Sequence, residues 1–547
     1  MTITIEKIRS NVIGEGHLIN TVFGLKPLVY ADYTASGRSL AFVEKIIEKK
    51  VLPLYANTHS ESSITGKQTS RFREQARAII HKALNTSVDH KVIFTGSGAT
   101  SAINKLIDML NLRLPAELDA AYQFDQQITE NDRPVVFIGP YEHHSNELPW
   151  RESIAQVVTI PLDGNGLIDL QYLEQMLKKY QQRKTLIGSF SAASNVTGVK
   201  TKVSEVSKVL HKYGALSCWD YAAAAPYVGI DMSEDELDAV FISTHKFIGG
   251  PGTPGLLVVD SKILTNSVPA IPGGGTVMYV SPEHHTFVTD IERREEGGTP
   301  AAVESIRAGL VFEIQSAIGT KTIERLESGF IKTAIKKLSE LDNFTILGSS
   351  TAARLSILSF NISHNDQVLH YGFVVALLND LFGIQARGGC SCAGPYGHQL
   401  LDLSMERSLA IEAQLHQGHM VLRPGWVRLN FNYFIDQQTF DYIVNALTLI
   451  TEHGWRLLAH YQYDKAHGTW QYIADNNSVE QHSEMQTLTL SDLLLDETIT
   501  DNDKIASSAQ LQQYLELGEK QLLAGDTQMS RTAVPLCDDA QKLRWFV

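Results

Sequence analysis

The strongest chemical signal in this 547-residue chain is Ser243-Thr-His-Lys246, with Gly249-Gly-Pro-Gly-Thr-Pro-Gly255 close behind it. It follows directly on the apolar run 239–242. A lysine at the end of a buried strand is short of water, and desolvation disfavours its ammonium form. The neutral amine is the form that Schiff-base chemistry requires. The glycines would let backbone approach a bound ligand closely. A surface lysine at a strand end accounts for the tetrapeptide equally well.

Four more candidates share that placement just past an apolar run. Asp220, in Cys218-Trp-Asp-Tyr-Ala-Ala-Ala-Ala-Pro226, is an acid suited to pairing with a pyridinium nitrogen; a helix N-cap is the other reading. Thr95-Gly-Ser-Gly-Ala-Thr100 is a strand-to-helix turn whose N–H groups offer a phosphate site, although many such turns bind nothing. Tyr141-Glu-His-His-Ser-Asn146 supplies an imidazole able to stack on an aromatic ring or to move protons, unless it is a solvated loop histidine. Asn195, in Ala193-Ser-Asn-Val-Thr-Gly198, can donate to a phenolate oxygen or simply occupy a turn. No single group decides the matter; their shared position does.

The elements that must hold them are legible as short apolar runs at 92–94, 135–138, 157–160, 186–190, 215–219, 239–242 and 256–259. Helical periodicity fills several intervals, as at 101–110 and 203–213. Continuous apolar strands alternating with helices predict a mostly parallel sheet covered on both faces, with ligands at the carboxyl ends of the strands. A Gly/Pro-rich segment at 271–276 and Arg294-Glu-Glu-Gly-Gly-Thr-Pro300 follow. A second α+β region then ends near residue 452, and the tail beyond it holds a polar stretch (475–486) and amphipathic segments at 488–495 and 507–523. The expected division is 1–40 as an N-terminal segment joining the small domain, 41–305 as the large domain, 306–455 as a smaller α+β domain and 456–547 as an accessory tail or subdomain.

Composition narrows the class. With 43% hydrophobic and 20% charged residues the chain reads as globular, and its length exceeds what one core usually serves. A net charge of −14 argues against nucleic acid or an anionic membrane as partner. No apolar stretch approaches the roughly 18–20 residues that cross a bilayer, and no signal-peptide pattern opens the sequence. The cysteines, Cys218, Cys390, Cys392 and Cys537, are too sparse for a disulfide framework and fit a cytoplasmic setting. If the Cys390-Ser-Cys392 segment is extended, its two thiols share a face; alternatively one of them is a small buried apolar residue.

Taken together, Asp32-Tyr-Thr-Ala-Ser, Gly98-Ala-Thr, Glu142-His-His-Ser-Asn-Glu-Leu-Pro-Trp150, Ser194-Asn-Val-Thr-Gly, Asp220-Tyr-Ala-Ala, Ser243-Thr-His-Lys, Arg294-Glu-Glu-Gly-Gly-Thr-Pro and Arg387-Gly-Gly-Cys-Ser-Cys-Ala resemble the class V aminotransferase group of fold-type I pyridoxal-phosphate enzymes, in its cysteine desulfurase and selenocysteine lyase branch. That resemblance implies an α/β fold with a mostly parallel seven-stranded sheet, a smaller α+β domain, and pyridoxal 5'-phosphate held as a Schiff base on Lys246. It implies Asp220 at the pyridine nitrogen, His143 stacked on the ring, Asn195 near the ring hydroxyl, and Ala99, Thr100, Ser243 and His245 around the phosphate. It further implies a homodimer in which Thr299 reaches the neighbouring subunit's phosphate, Arg428 on the substrate carboxylate, Ala35 and His59 as substrate contacts, and Cys392 as sulfur acceptor, with no metal. The activity it implies is release of alanine from L-cysteine or a related amino acid, leaving a persulfide on Cys392 for a sulfur-acceptor protein.

Three departures qualify it. Ala223 stands where many relatives carry Gln. The cysteine is doubled. The stretch from Cys392 to Arg428 is long, which is also similar to the desulfurase-like domain of molybdenum-cofactor sulfurases. An aminotransferase, epimerase or β-lyase on the same fold, or a scaffold that binds through its acidic tail, are the competing readings.

Overall fold

The computed structural model describes residues 3–58, 62–473, 505–527 and 534–547. His59 and the segments 475–486 and 488–495 therefore lie outside the described residues. The chain divides into two compact units. The first comprises Met1–Ile13, Thr34–Leu326 and Thr351–Leu355; the second comprises Gly14–Tyr33, Glu327–Ser350 and Ser356–Val547. Residues 1–40 are thus split between them.

In the first unit every expected apolar run falls on a strand, two of them overrunning it by one residue at Ile160 and Ala215: β1 (His90–Thr95), β2 (Val135–Ile138), β3 (Gln156–Thr159), β4 (Leu186–Ser191), β5 (Leu216–Asp220), β6 (Ala239–Ser243) and β7 (Gly255–Asp260). They form one sheet in the order β1-β7-β6-β5-β4-β2-β3. β7 runs antiparallel to both neighbours and the remaining pairs are parallel. Continuous burial of β2, β4 and β6 explains why they read as unbroken apolar runs. Helix α1 (Gly98–Met109) follows β1 and buries Ala102, Ile103, Leu106 and Ile107 in the same cluster as Ile93, Val136, Ile187 and Phe241.

Because β7 runs the other way, its first residue lies between the last residues of β1 and β6, with Gly255 opposite both Thr95 and Ser243. A Cβ on Gly255 would sit 2.1 Å from the Gly98 carbonyl oxygen, and one on Gly250 would sit 2.2 Å from that of Thr244. The sequence suggests glycines that admit a ligand. Gly250 and Gly255 admit the close approach of the chain's own backbone, drawing three loops together.

The second unit carries an antiparallel sheet of β8 (Phe344–Ile346), β9 (Ile357–His364), β10 (Arg387–Gly389) and β11 (Trp426–Asn430), in the order β8-β9-β11-β10. Val29–Tyr30 pairs in parallel with Ile384–Gln385. Helices α2 (Tyr371–Phe382), α3 (Gln437–His453) and α4 (Leu511–Leu523) share one buried cluster. It takes in Leu511, Leu515 and Leu522 of α4 together with Val534, Phe546 and Val547. A Cβ on Gly518 would lie 2.3 Å from Phe382 Cε1, so α4 rests directly on that ring. Among the described residues, no helix is long and apolar enough to cross a membrane.

His370 caps α2 and is buried. Its Nδ1 accepts from Gly372 N at 3.0 Å and Trp470 Nε1 at 2.9 Å. Nε2 then carries the proton and donates to Val421 O at 3.2 Å. Burial pushes the ring's pKa down to about 3, from an ordinary 6.5. As pH falls through that window the unfolded chain binds a proton that the folded chain refuses, so stability declines with acid. His370→Gln is expected to flatten this slope in urea titrations run at about pH 7 and about pH 4.5. Phe546 lies edge-on to His370, with ring centroids 4.8 Å apart. Phe546→Ala is expected to cost about 3–5 kcal/mol in the same titrations.

Candidate functional site

In the first unit the carboxyl ends of β5 and β6 are neighbours. Asp220 closes β5, and Lys246 closes the short turn Thr244–Lys246 that follows β6. Asp220 is only 4% exposed and accepts from Ala222 N at 2.8 Å. No helix follows it, which removes the N-cap reading. Burial raises its pKa, and the Lys246 ammonium works against that rise. His245 is lowered to about 4, by burial first and then by the same ammonium. Lys246 is thus electrostatically felt by both groups.

The phosphate-turn candidates converge on this point. Ala99 N donates to Ser243 Oγ at 2.9 Å. Gly98 has φ +59°, and a Cβ there would meet Ser243 Oγ at 2.7 Å and His245 Cε1 at 2.9 Å. Only glycine fits this turn, which combines left-handed backbone with close packing. Thr100 Oγ1 lies 2.7 Å from Ser145 Oγ, which in turn lies 3.0 Å from His143 Nδ1. Ser145 N also donates to His143 Nδ1, at 3.1 Å. Gly37 N donates to His245 O at 2.8 Å, which brings the segment containing Ala35 alongside. Ala192 N donates to Asp220 O at 2.9 Å, so the turn that bears the buried Asn195 starts beside Asp220. Thr299 belongs to a separate exposed turn, where Asn57 Nδ2 donates to its hydroxyl at 3.3 Å.

Sequence reasoning assigns Glu142 no role. It is buried beneath this group, accepting from Ser191 N (2.9 Å), Ser191 Oγ (2.6 Å) and Asn146 Nδ2 (2.7 Å). Burial drives its pKa up to about 7 against the pull of these hydrogen bonds, and Asp220 adds to the rise. The network pins the loop that follows β2, and with it His143, to β4. An acid beside two histidines was the available signal.

The second unit holds another constellation. The register of β10 and β11 sets Arg387 directly opposite Arg428. Asp32 bridges them: Oδ1 accepts from Arg428 Nη2 at 3.0 Å and Oδ2 from Arg387 Nε at 2.9 Å. Burial lowers the pKa of Arg428, Asp32 opposes this, and Cys392 opposes it more weakly. Two guanidiniums against one carboxylate leave the cluster net positive, with Arg387 half-exposed, so it is suited to an incoming carboxylate.

Cys392 is exposed and Cys390 is partly buried; all four cysteines are free thiols. The segment joining Cys390 and Cys392 is not extended. Ser391 and Cys392 have φ of 53° and 55°, and Ala393 N donates to Cys390 O at 3.2 Å. The alternation that would place both thiols on one face therefore does not apply, because it holds only for strand-like backbone.

The first-unit residues fit a phosphorylated pyridine aldehyde. An amine and a buried acid stand at adjacent strand ends, hydroxyls and a helix N-terminus meet over a turn that only glycine can make, and an imidazole is fixed by its neighbours.

Comparisons with known proteins agree with this geometry. Residues 29–416 match the family model described as aminotransferase class-V. A probable cysteine desulfurase of Halalkalibacterium halodurans is 30% identical over 373 residues, covering 68% of this chain and 85% of that protein. One of Streptomyces coelicolor is 27% identical over 373 residues, covering 67% and 84%. The apo structure of a cysteine desulfurase from Thermococcus onnurineus superposes with a TM-score of 0.64 at 23% identity, covering 78% of this chain and 95% of that one, a likeness of fold.

Proposed function

Since the chain belongs to the class-V aminotransferase family, we propose that it is a pyridoxal-phosphate enzyme of the cysteine desulfurase type, taking sulfur from L-cysteine or a related amino acid and releasing alanine. The observation that carries this is the placement of buried Asp220 and of Lys246 at the carboxyl ends of neighbouring strands. Lys246 is the covalent holder of the cofactor's aldehyde carbon. Asp220 takes the ring nitrogen, Asn195 the ring hydroxyl and His143 the ring face. Ala99, Thr100, Ser243 and His245 take the phosphate. Bound there, the cofactor supplies an electron sink for charge developing at the substrate Cα.

The chain's own residues do the rest. Arg428 binds the substrate carboxylate, with Asp32 holding its guanidinium from one edge. Ala35 adds a further substrate contact. The Lys246 amine takes the Cα proton. The Cys392 thiolate receives the substrate sulfur. Arg428→Lys is expected to raise KM for cysteine about 10–100-fold, with a smaller effect on kcat, because an ammonium cannot reproduce the planar fork.

A homodimer in which Thr299 serves the partner's site fits its exposed turn and the nearby hairpin (Val277–Val280 with His285–Phe287), on which Met278, Tyr279 and Val280 are exposed. Four free thiols suit a cytoplasmic setting, and an acceptor protein is a destination for the sulfur. The deciding experiment incubates cofactor-loaded protein with a panel of amino acids and measures alanine and released sulfur. Alanine and sulfur in equal amounts from cysteine is the expected result. A keto acid, a racemised amino acid or β-elimination products would replace this reading with an aminotransferase, epimerase or β-lyase.

A further inference from the structure

The Cys390-Ser-Cys392 turn adopts a conformation its residue types disfavour. It is closed by the hydrogen bond from Ala393 N to Cys390 O, and both enclosed residues are left-handed. Such turns ordinarily take Asn or Gly at those positions, and a side chain there costs about 1–2 kcal/mol per residue. Strain of this kind is retained where a site over-determines it. Its geometric effect concerns the two cysteines. In an extended Cys-x-Cys the Cα atoms stand close to the limit of about 7 Å beyond which no disulfide closes; curling the chain shortens that span. Just before the turn, Gly388 packs on the Tyr371 ring, since a Cβ there would lie 2.7 Å from Tyr371 Cδ2; the Tyr371 phenol is raised chiefly by burial, with Cys390 the smallest contributor. Cys390 is partly buried while Cys392 is exposed.

We propose that Cys390 is a second nucleophile, which attacks the Cys392 persulfide and discharges its outer sulfur as sulfide. This rests on the reading that Cys392 accepts the substrate sulfur. A bond forms between Cys390 Sγ and Cys392 Sγ, and the bond from Cys392 Sγ to the outer sulfur breaks. The outer sulfur leaves with the electron pair of that bond, its own proton and the proton of Cys390, as hydrogen sulfide. Cys390 Sγ is oxidised and the outer sulfur is reduced, while Cys392 Sγ exchanges one sulfur partner for another without change of oxidation state. Two equivalents of a free thiol, the substrate cysteine included, restore the dithiol and leave as their own disulfide, and a disulfide closed across a strained turn is of the readily reduced kind. Sulfur then leaves as a small molecule even without an acceptor protein.

The test mixes cofactor-loaded protein with one equivalent of L-cysteine and no other thiol. The reaction is quenched in acid and alkylated, and the peptide carrying both cysteines is characterised by mass spectrometry. The expected products are alanine, free sulfide and a peptide lighter by two hydrogens that takes no alkyl label. Cys390→Ser is expected to retain the extra sulfur on Cys392 and to release at least about tenfold less sulfide per alanine. Alanine accompanied by a persistent persulfide on Cys392 and an alkylated Cys390 in the unaltered protein overturns this proposal alone. Absence of alanine overturns it together with the desulfurase reading. The unaltered protein distinguishes these outcomes by itself, whether or not Cys390→Ser folds.

Discussion

Lys246→Ala is expected to lower amino-acid turnover by about 10³-fold or more and to abolish covalent retention of the cofactor. Two functions are lost in one substitution, a nucleophilic amine for the aldehyde carbon and a base for the Cα proton. Borohydride treatment separates them from simple binding. It should fix a spectroscopic label to the unaltered protein and none to the variant, while both still take up cofactor through the Ser243, Ala99 and Asp220 contacts. The fold should survive, because Lys246 ends a turn and its backbone bonds are unaffected. With the ammonium gone, Asp220 loses the charge that opposes its burial, so its pKa should climb further. Covalent labelling that persists in the variant would move the attachment point elsewhere.

The second large effect concerns Cys392. Cys392→Ala should cut sulfur release from cysteine at least about 10²-fold, since the thiolate that receives the substrate sulfur is gone and Cys390 acts only on the persulfide it forms. Cysteine should still perturb the cofactor spectrum, because Arg428 and its Asp32 brace are untouched. Undiminished alanine formation in this variant would end the persulfide reading and return the chain to the broader chemistry of its family.

What the sequence disclosed follows from how each feature is encoded. The seven strands were legible because a strand buried on both faces must be apolar throughout, and the candidate residues were legible because such sheets bind ligands at one edge. Asp220, Ser243 and Lys246 are all local to strand ends. The arginine pair is not local: Arg387 meets Arg428 only through the register of β10 and β11, and Asp32 arrives from a third segment. The cysteine turn is hidden from the sequence because Ser-Cys carries none of the Gly or Asn marks by which left-handed turns are usually spotted. Periodicity marked the apolar face of α4 but not its resting place on Phe382.

The way the second unit is stitched together governs when it can form. Most of the first unit is one continuous run, Thr34–Leu326, so its sheet can assemble as soon as β7 has left the ribosome. The second unit closes on Val29–Tyr30 at one extreme and on Phe546 at the other. Chains are made from the N-terminus and fold by domains as they emerge, so Gly14–Tyr33 must wait through synthesis of the whole first unit before its partners exist. Closing so large a loop costs entropy and time. The part of the molecule that bears Cys390 and Cys392 is therefore the part completed last.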